Sequence, residues 1–262
     1  MAIEEELRDR LSLIISKKGP LKKLILSFQD PSKGLTYKDQ DSPLTLADLA
    51  VNRYLYECIT SLFPDDGWIS EENQEKWKEP KNGLYWVIDP IDGTKEFIAG
   101  IPHYCISVAL FNANTSDILL GIIINPSTDQ LFYTSKSTNR IKVKGSSAFK
   151  HLSNAILVSR TEVKLGLFNS WKNKFPIFAI GSIAYKLALV SSGIGSAVVS
   201  LRKKNIWDIM AGCFLCQKAG LRISTLKGEP MAFSADKLKY DGLIVSNESA
   251  YEDILMLISS IK

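Results

Sequence analysis

The spacing of apolar residues along the chain is helical near the N-terminus and strand-like further on. Residues 3 to 28 have the spacing of an amphipathic helix with a break at Gly19-Pro20, and residues 46 to 62 predict a second helix. One face of this second helix would carry Leu46, Leu49, Ala50, Tyr54, Leu55 and Cys58. The polar stretch between the two helices, residues 29 to 42, is typical of a mobile loop or a short hairpin.

From Trp68 onward, short apolar runs bounded by turn residues predict β-strands. The runs cover residues 85–89, 104–111, 117–125, 130–135, 141–145 and 155–159. The second half alternates, with strands at 175–180, 196–201, 221–225 and 242–246 and helices at 182–192, 207–219 and 249–261. Helices that cover sheets predict an α/β (α+β) layered sandwich. We expect an N-terminal half (1–145) and a C-terminal half (146–262) in one compact unit, because no linker composition separates them.

The composition fits an ordinary globular protein that binds a small anion. Of the 262 residues, 45% are hydrophobic and 23% charged, and the net charge is +4. This small charge, without interleaved basic and aromatic residues, argues against a nucleic-acid binder and is compatible with an anionic metabolite. The charged N-terminus does not resemble a signal peptide, and no apolar run approaches the ~20 residues that span a bilayer. We therefore expect a cytoplasmic protein with no membrane partner. Cys213 and Cys216 lie in an apolar helix and are predicted to be buried thiols, with a redox pair as the alternative.

The segment WVIDPIDGTKEF at 86–97 carries the most chemical information. A buried-type strand runs to Asp89, and Pro90 and Gly93 allow a turn that would make Asp89 and Asp92 converge. Converging carboxylates repel each other unless a cation lies between them, and Mg²⁺ prefers such oxygen ligands. A solvated turn is the alternative, and this segment alone does not decide between them.

Other carboxylates lie where strands end or helices begin. The pair Glu71-Glu72 ends a short apolar strand, whereas Asp48 and Asp208 open helices in the tetrapeptides TLAD and NIWD. Both tetrapeptides have the spacing of a capping box, so helix capping is an alternative explanation for both aspartates. A shared site is favoured because α/β folds place their sites at such ends.

Taken together, these motifs resemble the signatures of the inositol monophosphatase superfamily. DPIDGT at 89–94 and WDIMAG at 207–212 are similar to its two main signatures, SEE at 70–72 to its glutamate motif, and SPLTLAD at 42–48 to its N-terminal motif. The resemblance implies a lithium-sensitive, magnesium-dependent phosphatase. It also implies the αβαβα layered fold of the inositol monophosphatase and fructose-1,6-bisphosphatase type.

The resemblance implies a metal-binding role for most of these carboxylates. Glu71, Asp89 and the backbone carbonyl of Ile91 would hold a first Mg²⁺. Asp89, Asp92 and Asp208 would hold a second, and Glu71 would reach a third ion if one binds. Such ions neutralise the phosphoryl oxygens and lower the pKa of the attacking water.

Catalytic and substrate-binding roles are implied in the same way. Asp48 and Thr94 would activate the water together with Glu71, because a hydroxyl held by a carboxylate can accept a proton as it passes one on. Gly93 and Thr94 begin a turn whose N–H groups would bind a phosphate oxygen, and Asp208 would also contact the substrate. The implied reaction is hydrolysis of a phosphomonoester by in-line attack of water.

Residues around the motifs are more typical of the 3'(2'),5'-bisphosphate nucleotidases, which convert adenosine 3',5'-bisphosphate to AMP. Residues 95–97 read KEF where inositol monophosphatases more often read TNF, and Ser70 stands where they usually have glycine. Ser182 and Lys186, in GSIAYK, resemble a nucleotide-facing segment and are predicted substrate contacts. An ordinary surface lysine is the alternative for Lys186. Ser159-Arg160 resembles another substrate-side segment.

Several alternatives stay open. Residues 100–108 are closer to inositol-1-monophosphatases, and a histidinol-phosphate or sugar phosphatase would use the same metals with a different rim. Residues 202–204, RKK, would form either a cationic rim for a second phosphate or a solvated turn.

A binding protein for RNA or for the transcription machinery is the rival class, and the complete set of matched carboxylates argues against it. Because family members are often dimers, a homodimer is a further expectation. The polar loop with Lys38 and Asp39 is predicted to close over the metals.

Overall fold

The structure is a computed structural model that describes residues 2–28, 35–37, 43–73, 78–146, 149, 152 and 154–259. The helices are α1 (Ala2–Ser16), α2 (Lys18–Leu26), α3 (Leu46–Leu62), α4 (Thr94–Ile98), α5 (Arg160–Lys164), α6 (Ile183–Ser191), α7 (Ile206–Lys218) and α8 (Glu248–Ser259). Short 3-10 helices cover Glu71–Asn73 and Asn169–Asn173. The first strands are β1 (Leu35–Tyr37), β2 (Pro43–Thr45), β3 (Gly67–Ser70), β4 (Leu84–Asp92), β5 (Cys105–Asn112), β6 (Asp117–Asn125), β7 (Gln130–Ser135) and β8 (Lys142–Lys144). The remaining strands are β9 (Ile156–Val158), β10 (Ile177–Ala179), β11 (Ala197–Ser200), β12 (Lys204–Asn205), β13 (Arg222–Ser224), β14 (Lys239–Tyr240) and β15 (Leu243–Ser246).

A six-stranded sheet has the order β3-β4-β5-β6-β7-β8, with β3 parallel to β4 and the other pairs antiparallel. Strands β3 to β7 are mainly apolar on both faces, because successive side chains point to opposite sides and both sides are covered, whereas the edge strand β8 is exposed. Trp86 and Ile88 of β4 belong to one core, formed with α1, α2 and α3. Tyr85 and Val87 of the same strand belong to a second core, formed with α6 and α7.

Helix α7 lies very close to the six-stranded sheet. A Cβ atom on Gly121 of β6 would lie 2.8 Å from the carbonyl oxygen of Ala211 in α7. Only glycine leaves room for this approach, which holds the start of α7, and therefore Asp208, next to the sheet.

A five-stranded sheet, ordered β10-β9-β11-β15-β13, lies on the other side of α6 and α7. Val198 and Val245 face the second core, whereas Val199 and Ile244 face a third core that contains Tyr251 and Ile254 of α8. The layers are therefore α1–α3, the six-stranded sheet, α6 and α7, the five-stranded sheet, and α8. This arrangement confirms the predicted α/β layered fold.

Most predicted elements are found within one or two residues of their expected bounds, but the predicted face of α3 is wrong. Leu46 and Leu49 are 47% and 41% exposed. The buried face is Ala47, Asp48, Val51, Leu55 and Ile59. Near the N-terminus, α1 and α2 are separated at Lys17, and the predicted break at Gly19-Pro20 lies in the first turn of α2.

Three of the four cysteines are buried, and all four are unpaired. Burial raises the pKa values of Cys213 and Cys216, which supports inert core thiols. Within the described residues, no helix is both long and apolar enough to cross a membrane. The loop residues Lys38 and Asp39 lie outside the described residues.

Candidate active site

A β-bulge in β4 makes Asp89 and Asp92 converge. Asp89 pairs with Ser107 of β5 and Asp92 with Cys105, so three steps on β4 match two steps on β5. In a regular strand, residues three apart point to opposite faces, and one extra residue restores the common face. Both carboxylates are therefore close enough to Asp208 to interact with it electrostatically.

The turn after Asp92 depends on Gly93, whose φ is +99°. A Cβ atom at this position would lie 2.9 Å from the carbonyl oxygen of His103. Only glycine adopts this left-handed conformation without strain, and the turn that it makes ends β4 at Asp92. Helix α4 then begins at Thr94, which is thereby placed beside the carboxylates.

Glu71, Asp89 and Asp208 form an acidic cluster, which we call the carboxylate cluster. One carboxylate oxygen from each residue lies within 4.8 Å of the other two. Glu71 directly follows β3, the parallel neighbour of β4, and Asp208 lies in the first turn of α7. Strand ends and a helix start thus supply the three groups from separate parts of the chain.

The electrostatics of the carboxylate cluster fit a bound cation. Burial raises the pKa of Asp89 well above its ordinary value, and the neighbouring carboxylates raise it further. Burial and the same kind of repulsion also raise the pKa of Asp208. Asp89 Oδ1 is buried and has no hydrogen-bond partner among the described residues. An all-oxygen donor set with an unsatisfied buried oxygen is the set that a hard divalent cation prefers.

Asp92 lies beside the carboxylate cluster but has its own partners. Its Oδ2 accepts hydrogen bonds from Ser182 Oγ at 2.5 Å and from the backbone N–H of Ala184 at 2.6 Å. Burial raises its pKa, and these hydrogen bonds oppose the shift. Ser182 is 7% exposed, and its hydroxyl also accepts from Tyr185 N as the N-cap of α6. The structure therefore gives Ser182 a supporting position behind Asp92, and a direct substrate contact stays a prediction.

Helix capping and site formation are compatible for Asp48 and Asp208. Asp48 Oδ2 accepts from Thr45 N at 2.8 Å, and Asp208 Oδ2 accepts from Asn205 N at 2.8 Å. The other oxygen of Asp48 lies 3.5 Å from Thr94 Oγ1. One oxygen of Asp48 thus fixes a helix start while the other faces the site. The two explanations that the sequence left open apply together.

Thr94 connects Asp48 with the end of β4. Its hydroxyl donates to the Ile91 carbonyl at 3.1 Å and lies at the limit of hydrogen-bonding distance from Asp48. A carbonyl oxygen has two lone pairs, so this bond leaves one on Ile91 for another ligand. A small rotation of the hydroxyl moves its proton between the two acceptors.

A cavity of about 240 Å³ opens next to these residues. Its lining combines the anionic side chains of Asp92 and Asp208, the cationic side chains of Lys186 and Lys204, and the turn residues Gly93 and Thr94. Lys186 is 2% exposed, so it is not the surface lysine considered as an alternative. Its Nζ donates to the carbonyls of Ile180 and Ser182 at 3.0 and 2.9 Å. Burial lowers the pKa of Lys186 to about 8, and the nearby Asp92 carboxylate opposes this shift.

The comparisons with known proteins agree with this geometry. The model of the inositol monophosphatase family matches residues 7–262. The chain belongs to this family. Among its curated relatives in the family, the 3'(2'),5'-bisphosphate nucleotidase CysQ of Salmonella typhimurium is 26% identical over 219 residues, 80% of this chain and 88% of the relative. An inositol-1-monophosphatase of Caulobacter vibrioides is 28% identical over 228 residues, 81% of this chain and 85% of the relative.

Solved structures of the inositol monophosphatase family share the fold. The IMPase of Thermotoga maritima superposes with a TM-score of 0.81 at 23% identity, over 96% of this chain and 97% of that one. The extragenic suppressor protein suhB from Bartonella henselae gives 0.79 at 18% identity, over 97% and 100% of the two chains. The structures show the fold; the family model and the curated relatives together make the chain a phosphatase of the inositol monophosphatase family.

Two charged residues at this family site were not predicted from the sequence. Glu96 of α4 lines the cavity and pairs with Arg160 of α5 at 3.2 Å. A Cβ atom on Gly181 would lie 2.3 Å from the Glu96 side chain, so the glutamate packs tightly against that turn. Glu162, also in α5, is almost fully buried. The segment RTE at 160–162 has no feature that separates it from an ordinary helix start.

Proposed function

We propose that this phosphatase hydrolyses the 3'-phosphate of a nucleoside 3',5'-bisphosphate with Mg²⁺, giving the nucleoside 5'-monophosphate and inorganic phosphate. The observation that carries the proposal is the carboxylate cluster, with its unsatisfied Asp89 oxygen, beside a cavity that also contains Lys186 and Lys204. Carboxylates would hold the metal ions, and the lysines would attract an anionic substrate.

Magnesium is the ion we propose because the donors are all oxygen atoms. Glu71, Asp89, Asp92 and Asp208 with the Ile91 carbonyl would hold two ions, and a third ion beside Glu71 is a further prediction. Bound Mg²⁺ would neutralise charge on the phosphoryl oxygens and lower the pKa of the attacking water. A protein of the same fold, an IMPase/NADP phosphatase, has been crystallised with Mg²⁺ and phosphate.

Thr94 and Asp48 would accept and pass on the proton of the attacking water. Thr94 Oγ1 faces both Asp48 and the Ile91 carbonyl, so it can donate to one acceptor while it receives the proton of the attacking water. The capping bonds to Thr45 hold Asp48 in place during this exchange. Gly93 and Thr94 line the cavity, and their backbone N–H groups would orient one oxygen of the scissile phosphate.

The nucleotide is favoured over inositol phosphate by the residues after DGT. Glu96, where inositol monophosphatases more often have asparagine, pairs with Arg160 and forms one wall of the cavity. Lys186 and Lys204, which also line the cavity, suit a substrate with more negative charge than a monophosphate. Relatives of both kinds are 26% to 28% identical to the chain, so inositol-1-monophosphatase is the second candidate. Inhibition by lithium and a homodimer are further predictions.

The test is phosphate release from adenosine 3',5'-bisphosphate and myo-inositol 1-phosphate, measured side by side with Mg²⁺. We expect kcat/KM to be at least about tenfold higher for the nucleotide, because one additional charge-assisted contact is worth about 1.5–3 kcal/mol. A preference for the inositol ester would overturn the substrate assignment and leave the metal site in place. EDTA controls separate both activities from contaminating metal-independent phosphatases.

A further inference from the structure

A second cavity adjoins the active-site cavity and has a cationic wall. It measures about 520 Å³ and shares Ser159, Thr161 and Lys204 with the smaller active-site cavity. Its other side is formed by the segment that follows β11, residues 201–203. A ligand that extends from the carboxylate cluster past Ser159 and Thr161 would therefore enter this second cavity.

The segment after β11 is held by one buried carboxylate. Glu162 is 1% exposed, and its Oε1 accepts three hydrogen bonds. The donors are Leu201 N at 2.9 Å, Arg202 N at 3.0 Å and Ser200 Oγ at 3.2 Å. Two backbone bonds to one side chain fix the direction in which the chain leaves β11. Glu162 Oε2 is buried and has no partner among the described residues, so the residue is held in a costly position that serves this segment.

The lining of the second cavity contains more cations than carboxylates. Arg202 is exposed and makes no ion pair with any described residue. Lys203 lies 3.7 Å from Asp241, and both side chains are largely exposed, so the pair is weak. Lys204 Nζ donates only to the carbonyl of Lys203, at 3.2 Å. The lining itself therefore has three cations and one carboxylate, that of Glu162, and is net positive; Asp241, and Asp92 and Asp208 near Lys204, lie outside it.

We propose that the second cavity binds the non-scissile phosphate of the substrate and that Glu162 is the positioning residue that holds its cationic wall. The inference rests on the proposed function, because it assigns a place to the second phosphate of a bisphosphate. A phosphate dianion supplies acceptors for the Arg202 guanidinium and the Lys204 ammonium. Glu162 also lines the second cavity, but it is 1% exposed and its Oε1 is occupied by three donors of residues 200–202, so we assign it the positioning of that segment.

The test uses adenosine 3',5'-bisphosphate and adenosine 3'-monophosphate, which differ only in the second phosphate. The ratio of their kcat/KM values measures recognition of that phosphate. We expect Arg202→Ala to lower this ratio about tenfold, mainly through a higher KM for the bisphosphate, because one charge-assisted contact is lost. Lys227→Ala, in the exposed turn after β13, removes the same charge elsewhere and serves as the control.

Glu162→Ala and Glu162→Gln separate positioning from charge. The alanine variant loses the acceptor for all three donors, and we expect it to lower the ratio as much as Arg202→Ala does. The glutamine variant keeps an acceptor oxygen, so its ratio stays within about twofold of the wild type. If the alanine variant does not fold, the comparison of Arg202→Ala with the control still decides.

Each outcome bears on a different statement. A wild-type ratio near one, or a ratio that Arg202→Ala leaves unchanged, overturns the second phosphate site even if the nucleotide is preferred to inositol phosphate. A ratio that falls in Arg202→Ala supports the site even if inositol phosphate is the better substrate, which would overturn only the proposed function. If the wild type hydrolyses neither nucleotide, both the proposed function and the second phosphate site are overturned.

Discussion

At the scale of single residues, the burial of Asp89 links the stability of the protein to pH when no cation is bound. Its carboxylate is buried, one of its oxygens has no hydrogen-bond partner in the described parts of the chain, and it lies beside the other carboxylates of the cluster. Burial and, secondly, this repulsion raise its pKa in the folded state. The unfolded chain has neither effect, so its aspartates titrate near their ordinary value of about 4.

We predict that in EDTA the free energy of unfolding falls as pH rises from about 4 through the raised pKa of Asp89. The sign follows because the folded state keeps a proton that the unfolded state has already released. Asp89→Asn removes this linkage, so its stability should change less with pH and exceed that of the wild type at neutral pH. Urea unfolding at several pH values in EDTA measures both effects.

The matched control for this prediction is Asp241→Asn, since Asp241 is 90% exposed. Its stability should follow the wild-type curve. Equal pH dependence in the wild type and Asp89→Asn would show that the cluster is not strained without a cation.

At the scale of elements, a buried ion pair fastens α1 to the edge of the six-stranded sheet. Arg10 Nε and Nη2 each donate to Asp66 at 2.9 Å, and both side chains are almost fully buried. Asp66 also accepts from Trp86 Nε1 at 2.8 Å and from Asn82 Nδ2 at 2.7 Å. Asp66, in the turn before β3, thus links this turn both to α1 and to β4.

We predict that Arg10→Met lowers the free energy of unfolding by about 3–5 kcal/mol, because it leaves the Asp66 charge buried without its counter-ion. Arg8→Met is the control. Arg8 pairs with Glu5 on the surface, where both side chains are about two thirds exposed, so its loss should cost about 0.5 kcal/mol or less. Urea unfolding measures both variants, and equal losses would contradict the role of the buried pair.

Helix α3 shows how far the sequence predicts an element. Its bounds, Leu46–Leu62, agree with the prediction because apolar periodicity and the capping box mark them. Its predicted face was wrong because Leu46 and Leu49, placed inside with Leu55, are exposed, whereas Leu55 is buried as expected. The buried face instead includes Asp48, which accepts a capping bond from Thr45 N and lies 3.5 Å from Thr94 Oγ1. Hydrophobicity alone does not predict a face that contains a buried, hydrogen-bonded carboxylate.

Elements with little apolar signal were missed. Strands β12 and β14 have two residues each, and α4 and α5 have five each. Such short elements depend on contacts with distant parts of the chain rather than on their own pattern. The long strands of the six-stranded sheet were predicted well because both of their faces are apolar.

The sequence predicted the convergence of Asp89 and Asp92 but not its cause. Pro90 and Gly93 suggested a turn, whereas the structure has a β-bulge that restores a common face. The position of Glu162 beneath residues 200–202 was unpredictable, because it depends on contacts between residues 38 to 40 positions apart.

At the scale of the whole molecule, the carboxylate cluster exists only when the layers are assembled. Glu71 directly follows the edge strand β3 and Asp89 lies on its neighbour β4, whereas Asp208 comes from the helix layer between the two sheets. The close approach of α7 at Gly121 brings these parts together. The division into halves at 1–145 and 146–262 stays a prediction, although β8 ends at Lys144 and β9 begins at Ile156 on either side of it.

The most direct test of the central claim is phosphate release by the wild type and Asp89→Asn, each with Mg²⁺ and with EDTA. The account predicts that the wild type is active only with Mg²⁺ and recovers when excess Mg²⁺ follows EDTA. It predicts that Asp89→Asn folds but is nearly inactive, since it loses a ligand at the centre of the carboxylate cluster. Two results would contradict a metal-dependent phosphatase built on these carboxylates. One is wild-type activity that persists in EDTA, and the other is an Asp89→Asn variant that keeps more than a few per cent of the wild-type activity.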